Sequence, residues 1–548
     1  MANPIVVVNI SQTQAPIPSN LQKTGAVISM GGTVLTAGSY SLLSQAADLT
    51  ALLTAPLAIT SVNYSGGRVT VTTTAPHGVT NNTMFVTEIS GFVPEEYNGT
   101  YFAWATGAST FQYLGPSSNP GAATTVGTYT PPTVAELQAM VDTFFTQNPG
   151  LQAVSVLELG AVSTSTAISN LSAFILASEQ IFYSYLVPRS WADDEDFLDL
   201  AGTYSAASAK TYFFTTVNEQ NKDAIVASGY KSIMALIEAP SYPSGLTQSI
   251  SNASWSGGVV TFTVSSSPDL VVGNTYTITG VSPTGYNGTY VATPGTVTTT
   301  LKALLADNPG AYVSGGSVLG HPYGGSDGIP ATEFSHAADF FTTLNYDPSP
   351  TNRVTPLAFS YMYGVTAFPT VGNKSLITTL GTEEINYVGF GSEGGISDRI
   401  LFNGHTLDGR PFNYWYSVDW IQINAKLALA NATINGSNNP INPLYYDQTG
   451  IDRLQDVLVR TCGSGIAFGL ILGRTIQTEL DATTFQTNLN RGLYAGNCVV
   501  NAIPFVPYTR ANPSHYRQGI YNGLSITFTP LRGFERITVN INVTDFVS

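Results

Sequence analysis

The chain has 548 residues, of which 43% are hydrophobic and only 10% are charged, against about a quarter in an average soluble protein. The length suits about three to five folding units, and the scarcity of charge suits strand-rich modules whose surfaces are covered by partners. The net charge is −15, the densest run of charge, residues 193–196, is acidic, and no cluster of Lys and Arg occurs. This argues against nucleic acid and against an anionic membrane surface as partners.

The first predicted element is a short apolar strand at residues 4–10, which a polar, proline-containing stretch at 11–22 follows. The stretch can span roughly 40 Å when extended, which is more than pairing with an adjacent strand needs. We therefore predict that residues 1–22 form an arm whose strand joins a sheet of a neighbouring subunit, with pairing inside its own subunit as the alternative. The apolar residues of this strand are Ile5, Val6, Val7, Val8 and Ile10.

The same amino end lacks the basic stretch of a secretory signal. The most apolar run of the chain, residues 465–473, is about half of what a bilayer span requires. We therefore expect the subunit to fold in a cytoplasm without direct membrane insertion.

Two segments of the chain repeat each other. The string ITSVNYSGGRVTV, which begins at Ile59, matches ISNASWSGGVVTF, which begins at Ile250, and further on each copy reaches Tyr-Asn-Gly-Thr-Tyr. Alternating polar and apolar residues around these strings predict two small antiparallel β modules, at 58–129 and 247–319. Tight turns are predicted at Gly66, Gly67, Asn98 and Gly99 in the first module and at Gly257, Gly258, Asn287 and Gly288 in the second.

Both modules have clean Pro- and Gly-containing borders. We interpret them as insertions into surface loops of a continuous host domain, because such loops tolerate additions. Directly after the first module, Thr133 and Glu136 fit a capping box at the start of an amphipathic helix. The apolar face of this helix consists of Val134, Leu137, Met140, Val141, Phe144 and Phe145.

Outside the two modules the chain alternates strands and helices. Buried strands are predicted at 153–157, 211–215 and 232–237, with helices at 168–179 and 223–229. This alternation is typical of an α/β sandwich with a largely parallel sheet. The predicted fold class is therefore a multidomain α+β and α/β protein, with an α/β sandwich core, two inserted antiparallel β modules and extended strand arms at both termini.

The carboxyl end is also strand-forming. Residues 537–544 alternate strictly, and the segment 524–528 lies across a turn at 530–533 as a partner within the chain. We predict a second arm that pairs with another copy, again with pairing inside the subunit as the alternative. Before it, a helix at 452–460 is expected to end at Gly463. The alternating apolar residues of the arm are Ile537, Val539, Ile541 and Val543.

No residue pattern points to catalysis. None of the five histidines lies at metal-ligand spacing from another ligand, and neither a phosphate-binding loop nor a nucleophile elbow occurs. Glu383 with Glu384, or the run 193–196, could supply a carboxylate pair, but a chain with 35 acidic residues shows such neighbours by chance. Cys462 and Cys498 are too few for a zinc site, and could pair or remain thiols. We predict no enzyme activity, no metal and no cofactor.

Four strings outside the modules resemble the sheath subunits of contractile-tailed bacteriophages. They are FYSYLVPRSW from Phe182, AKTYFFTT from Ala209, ADFFTTLNY from Ala338 and IDRLQDVL from Ile451. Each module separately resembles a small β module of phage virion proteins that carries a His-Gly turn and the Tyr-Asn-Gly-Thr-Tyr string. The first module has the turn at His77, whereas the second has Pro-Asp-Leu in its place, which argues against a chemical role shared by both copies.

The resemblance implies a self-assembling structural protein of the virion tail. Its subunits would stack as rings or a helix, with sixfold symmetry expected, around a tail tube, and would also meet baseplate and tail terminator proteins. The sheath would be assembled in the host bacterial cytoplasm and would contract to drive the tube through the host envelope for genome ejection. The implied divisions are an N-terminal arm at 1–22, sheath core at 23–57, 130–246 and 320–440, and a C-terminal sheath domain with its arm at 441–548.

The alternative is a virion adhesin that binds carbohydrate through the β modules. Tyr97, Tyr101, Tyr286 and Tyr290 could offer aromatic faces that stack on glycans. A sheath should form long tubes alone or with a tube protein, whereas an adhesin should stay a compact oligomer that binds cells. A hydrolase, the third candidate, would turn over host polysaccharide.

Overall fold

The computed structural model describes residues 21–65, 68–79, 84–114, 119–148, 152–177, 181–218, 221–238, 247–264, 275–293, 296, 299–321, 333–369, 373–391 and 398–534. The strand exchange between subunits stays a prediction, because the predicted strands of both arms lie outside these residues. The predicted site residues outside the described ranges are Ile5, Val6, Val7, Val8, Ile10, Gly66, Gly67, Ile537, Val539, Ile541 and Val543.

The described chain begins with two strands of a central sheet and then enters a small barrel. The bounds are β1 Gly25–Ser29, β2 Tyr40–Leu43, β3 Leu57–Ser65, β4 Arg68–Thr73, β5 Met84–Ser90, β6 Gly99–Gly107, β7 Thr110–Leu114 and β8 Thr128–Tyr129. Strands β3 to β8 close an antiparallel barrel in the order β3-β4-β7-β6-β5-β8. Val69, Val71, Phe111 and Tyr113 alternate along β4 and β7 and are fully buried, which is why this alternating sequence forms strands.

The chain then returns to the central sheet. The bounds are α1 Pro132–Gln147, β9 Val154–Glu158, α2 Thr164–Ala177, β10 Ser184–Leu186, α3 Glu195–Thr203, β11 Tyr212–Val217, α4 Lys222–Ser228 and β12 Ile233–Ile237. The sheet has the order β12-β11-β10-β1-β9-β2, and only β2 runs antiparallel to its neighbour. The predicted, largely parallel α/β sheet is therefore confirmed, as its continuous apolar strands indicated.

The predicted apolar face of α1 is confirmed, but its predicted capping box is wrong. All six face residues are buried. The helix begins at Pro132 without a side-chain hydrogen bond at its cap, and the Glu136 carboxylate accepts a hydrogen bond from the backbone N–H of Arg189 at 3.1 Å instead. Proline at the first helical position has no N–H to satisfy, so the helix start needs less capping.

The second repeat forms a six-stranded sheet. The bounds are β13 Thr247–Ser256, β14 Val259–Val264, β15 Thr275–Thr279, β16 Gly288–Val291, β17 Thr300–Leu304 and β18 Ser317–His321. Its strand order is β16-β15-β18-β13-β14-β17. If β13 to β18 are taken as the equivalents of β3 to β8, the same strands are neighbours in both modules, except that the equivalents of β6 and β7 are not paired in the second module. The similarity of the two sequences thus extends to the pairing of the strands.

The remainder of the described chain is mostly helical. The bounds are α5 His336–Leu344, α6 Lys374–Thr382, β19 Tyr387–Gly389, β20 Ile400–Phe402, β21 His405–Thr406, β22 Arg410–Pro411, α7 Phe412–Ser437, α8 Gln448–Ala467, β23 Thr475–Thr478, α9 Ala482–Asn490, β24 Cys498–Ala502, α10 Phe505–Ala511, α11 Pro513–Gln518 and β25 Leu524–Thr527. The last three strands form a sheet in the order β23-β24-β25. Cys462 of α8 and Cys498 of β24 are buried free thiols.

Helix α8 does not end at Gly463, as the sequence predicted, but continues to Ala467. The nearby Gly465 has a packing role, because a Cβ there would lie 2.8 Å from Ile471 and 3.0 Å from Ile421. Gly465 therefore allows the side chains of Ile421 and Ile471 to pack closely against α8, and it does not end the helix.

The central sheet separates two hydrophobic cores. On one face, Phe144 of α1 and Phe412 of α7 pack together with Leu458 of α8 and Val500 of β24. On the other face, α2, α3 and α4 cover the sheet, with Phe197 of α3 fully buried. The protein is thus a mixed α/β multidomain structure in which helices cover both faces of one sheet.

Among the described residues, no helix combines the length and the apolar character that a membrane crossing requires.

Candidate functional site

The Asn of each Tyr-Asn-Gly-Thr-Tyr string holds the preceding loop of its module in place through side-chain hydrogen bonds. The side-chain amide of Asn98 makes two hydrogen bonds to the backbone of Phe92, at 2.9 and 3.0 Å. Asn287 does the same to Val281, at 2.8 and 3.1 Å. The glycine that follows has a φ of +148° in the first copy and +156° in the second, a region that side chains disfavour.

The predicted tight turns at Asn98-Gly99 and Asn287-Gly288 are therefore wrong. Both Asn residues have extended backbones, and each pair lies at the end of a longer loop that begins the next strand. The turn at Gly257-Gly258 is confirmed, with φ angles of +58° and +84° between β13 and β14. Two adjacent left-handed residues are what a two-residue hairpin requires.

Three of the four repeated tyrosines, Tyr97, Tyr286 and Tyr290, are buried core residues and do not provide the predicted faces for glycan stacking. Tyr97 and Tyr286 are each 1% exposed, and their hydroxyls donate to backbone carbonyls of their own module at 2.7 and 2.6 Å. Tyr290 is also buried. Tyr101 is half-buried and stacks on Tyr113 with 4.1 Å between ring centroids. Their repetition reflects a shared core rather than a shared ligand.

Both modules leave and rejoin the rest of the chain at adjacent points. In the first module, the first two residues of β3 pair with the two residues of β8. On either side of the second module, the Glu238 carboxylate accepts a hydrogen bond from the backbone N–H of Ser335 at 2.6 Å. Adjacent ends are a requirement for inserting a module into a loop without moving the flanking elements.

Arg189 fixes this second attachment point at the carboxyl edge of the central sheet. Its guanidinium donates to both oxygens of Glu238, at 2.6 and 3.0 Å, and to the backbone carbonyl of Glu333 at 2.8 Å. The guanidinium carbon lies 4.2 Å from the centre of the Phe334 ring. Burial raises the pKa of Glu136 and of Glu333, since the charged form of a carboxyl is disfavoured away from water. Each of these guanidinium hydrogen bonds thus joins Arg189 to the residues on either side of the second module.

Glu158 lies at the carboxyl end of β9, beside β1, on the edge of the sheet where open α/β sheets commonly bind ligands. The topological switch point lies on the other side of β1, between β1 and β10. The carboxylate of Glu158 accepts from the backbone N–H of Gly31, Thr33 and Gly160, at 2.7, 3.1 and 2.6 Å. It also accepts from the hydroxyls of Ser29 and Thr33, both at 2.7 Å. A protein carboxylate therefore takes the donors that an anionic ligand would use here.

A second buried network joins the central sheet to α7. Asp419 is fully buried, and its Oδ2 accepts from the hydroxyls of Tyr183 and Tyr212, each at 2.8 Å. Burial raises the pKa of Asp419 and lowers the pKa of Lys210 and of Lys231. Such shifts also occur in active sites, but every member of this network is buried. No local pattern in the sequence indicates this network, because its members lie far apart along the chain.

His336 and Asp339 form a buried pair. Their side chains are fully buried, and Nδ1 of the imidazole lies 2.7 Å from Oδ1 of the carboxylate. The other ring nitrogen donates to the backbone carbonyl of Met234 at 2.8 Å. Both ring nitrogens of His336 therefore have partners among the described residues.

The carboxylates that the sequence singled out also have structural partners. Glu383 pairs with Lys222 at 2.6 Å, and Glu384 lies 2.5 Å from Nδ1 of His405. Asp194 caps α3 by accepting from two backbone N–H groups, as residues at helix starts commonly do. Within the described ranges, no group of three or more His, Cys, Asp or Glu side chains could hold a metal ion.

The described parts of both chain ends are anchored on the first turn of α7. The side chain of Gln22 donates to the backbone carbonyl of Tyr416 at 2.9 Å. The side chain of Asn413 donates to the carbonyl of Leu531 at 3.2 Å. Residues 413 and 416 lie one turn apart on the helix. The two predicted arms therefore start from neighbouring points of the molecule.

The C-terminal sheet has strand edges that can accept further strands. Strand β25 pairs with β24, from Leu524 opposite Ala502 to Thr527 opposite Val499. As far as the described residues go, β25 and β23 each have a strand neighbour on one side only. Unpaired N–H and C=O groups on such edges are the usual acceptors of a strand from another chain.

Comparison of the chain with protein family models gives no match, and comparison with curated proteins gives none either.

Proposed function

We propose that this chain is the structural subunit of a contractile phage tail sheath. In this proposal it polymerises around a tail tube through strand-exchanging terminal arms, meets baseplate and terminator proteins at the ends of the tail, and shortens to drive the tube through the host envelope. The observation that carries the proposal is the joint anchoring of both chain ends on α7. A subunit that links to two neighbours needs both of its tethers fixed to a rigid body.

The buried polar groups support a structural rather than a chemical role. The charged clusters at Arg189, Glu158 and Asp419 are directed inward and hold elements of the fold together. Among the described residues, by contrast, β23 and β25 of the C-terminal sheet each pair with a strand on one side only. Backbone pairing at these edges gives affinity without any reactive side chain.

The energetics of such linkage suit an assembly that rearranges. One five-residue arm contributes about 3–5 hydrogen bonds at about 1 kcal/mol each, so a single link exchanges readily. Many such links around a ring act cooperatively because each holds the next in place. Contraction then requires two packings that differ by a few kcal/mol per subunit.

The arm proposal is tested by removing the first strand. Deleting residues 1–11 should give a folded subunit that no longer forms ordered tubes. Replacing Val6 and Val8 with Pro should have a similar effect, because proline removes the N–H that a sheet ladder needs. The measurements are negative-stain electron microscopy for tubes and sedimentation velocity for the size of the assembly.

The matched control places the same number of prolines in the polar spacer, at Thr13 and Gln14, where no strand is predicted. This variant should polymerise like the unaltered chain. Tubes of normal length from the 1–11 deletion would contradict the arm proposal. Compact oligomers that bind host cells, from the unaltered chain, would favour the adhesin instead.

The β modules are proposed to be outward decorations. Since β3 and β8 pair side by side at the start and end of the first module, excising residues 60–127 leaves a short gap for the chain to close. The shortened chain should still polymerise in the same assay. Loss of all assembly by a folded product would show that the module belongs to the lattice.

A further inference from the structure

Charge is divided unevenly along the chain. The whole sequence has 35 acidic and 20 basic residues, yet residues 482–534 contain no Asp or Glu. The arginines of this acid-free segment are Arg491, Arg510, Arg517 and Arg532. The charged side chains of this segment are therefore all basic.

Two of these arginines lie on an exposed surface that α10 and α11 form. Arg510 and Arg517 are exposed, Val506 and Tyr516 are each 50% exposed, and Tyr445 beside them is 67% exposed. We name these five residues the α10–α11 surface. Arginine and tyrosine are enriched in the cores of protein interfaces, and carboxylates are depleted there.

Aromatic contacts join α10 and α11 to the segment before α8, and the arginines of the α10–α11 surface are not neutralised within the described molecule. The ring of Tyr516 lies 5.6 Å from that of Phe505, the neighbour of Val506, and 5.3 Å from that of Tyr446. Among the residues that the structure describes, no carboxylate oxygen lies within 4.0 Å of a nitrogen of Arg510 or Arg517. These guanidinium groups are therefore free to meet an acidic partner.

A surface of the opposite charge, made of acidic side chains, lies at the start of α3. Asp193, Glu195, Asp196 and Asp199 are exposed, and we name these four residues the α3 corner. In the described ranges, none of them has a Lys or Arg nitrogen within 4.0 Å. Their mutual repulsion is relieved when a basic surface docks on them.

The two surfaces face away from each other in one molecule. Phe197 and Leu200 attach α3 to the core on one face of the central sheet. The backbone N–H of Phe505 donates to the side chain of Gln448 at 2.8 Å, which attaches α10 to α8, and α8 belongs to the core on the opposite face through Leu458. The six-stranded sheet separates them, so they can meet only between copies.

We propose that the α10–α11 surface of one copy docks on the α3 corner of a second copy. Because two different patches meet, the contact is head-to-tail and propagates from copy to copy, as rings and helical polymers require. It rests on the self-assembly part of the proposed function, but it needs neither terminal arm. Its affinity should fall steeply with salt, because the screening length shrinks from about 8 Å at 0.15 M to about 3 Å at 1 M.

The test reverses the charge of each surface separately. Variant one carries Arg510→Glu and Arg517→Glu, and variant two carries Asp193→Lys and Asp196→Lys. Each alone should associate at least about tenfold more weakly than the unaltered chain, because like charges then face each other. Mixed together, the two should associate again, since each reversed surface finds its complement on the other variant. Sedimentation velocity at 0.05 M and at 0.5 M salt measures both effects.

Matched controls carry equal charge changes elsewhere. Arg474→Glu with Arg491→Glu alters two exposed arginines outside α10 and α11, and Glu95→Lys with Glu96→Lys alters two exposed acids of the barrel. Circular dichroism checks that every variant folds. Both controls should associate like the unaltered chain.

The outcomes separate this contact from the sheath proposal. Normal association of either reversed variant, or failure of two folded variants to associate on mixing, overturns the contact even if tubes form. Salt-sensitive association of the mixture supports it even if the unaltered chain forms no tubes. Loss of association that mixing does not restore, together with binding of the α10–α11 surface to an unrelated acidic protein, would show that the occupant is not a second copy.

Discussion

Replacing Glu158 with Gln tests whether the carboxyl edge of the central sheet depends on a buried acceptor. Both oxygens of the carboxylate face donors: Oε1 faces the N–H groups of Gly31 and Gly160, and Oε2 faces Ser29 and Thr33. An amide keeps the shape but turns one acceptor into a donor. Neither orientation of the amide satisfies every partner, so the loss cannot be removed by rotation.

The least costly orientation places the amide nitrogen at the former Oε2. The hydroxyls of Ser29 and Thr33 can reverse there and accept, but the backbone N–H of Thr33 loses its partner. An orphaned buried donor costs about 1–3 kcal/mol, and the two bonds left at Oε1 lose about 1 kcal/mol each when the acceptor becomes neutral. We therefore expect a local loss of about 3–5 kcal/mol.

Hydrogen exchange is the appropriate assay, because a multidomain chain need not unfold in one step. A local loss of about 3 kcal/mol corresponds to roughly a hundredfold faster exchange for the amides of Gly31, Thr33 and Gly160. Glu88→Gln is the control, since Glu88 is exposed on β5. Unchanged exchange at these amides in a folded Glu158→Gln protein would refute the reasoning.

Three further predictions concern the buried groups. Burial raises the pKa of Glu333, so the folded state binds this proton more tightly than the unfolded chain. The melting temperature should therefore rise as the pH falls from 7.5 to 5, and it should rise less in Glu333→Gln. Equal slopes of melting temperature against pH for the two proteins, measured by scanning calorimetry, would contradict this. Cys462 and Cys498 are both fully buried, so neither thiol should react with Ellman's reagent until guanidinium is added; rapid labelling of the native chain would show that one of them is accessible. Phe144→Ala should cost about 3–5 kcal/mol and lower the melting temperature, because the ring is fully buried, whereas Phe534→Ala, at a position 79% exposed, should leave it unchanged.

The buried parallel strands were the most predictable elements. The strands expected at 153–157 and 232–237 occur at Val154–Glu158 and Ile233–Ile237. They were predictable because a strand that is buried on both faces of a parallel sheet has a short, nearly continuous apolar sequence. Helix starts were less accurate. The helix expected from residue 168 begins at Thr164, since its first turn contains Ser and Thr rather than the apolar residues that mark a face.

The polar clusters could not have been predicted from one sequence. Asp419 meets Tyr183 and Tyr212 across more than 200 residues of chain, and nothing local distinguishes it from an exposed aspartate. The prediction that the repeated tyrosines bind glycans rested on a different kind of signal. A repeat shows that a position matters in both copies, but it does not separate a core side chain such as Tyr97 from one that binds a ligand.

The anchoring of Gln22 and Leu531 on one turn of α7 has a mechanical consequence. A pull applied at one described end of the chain and resisted at the other can pass through this short stretch of α7, as well as along the backbone into β1, which begins at Gly25. Tension could thus pass through a row of such molecules while each body keeps its internal packing.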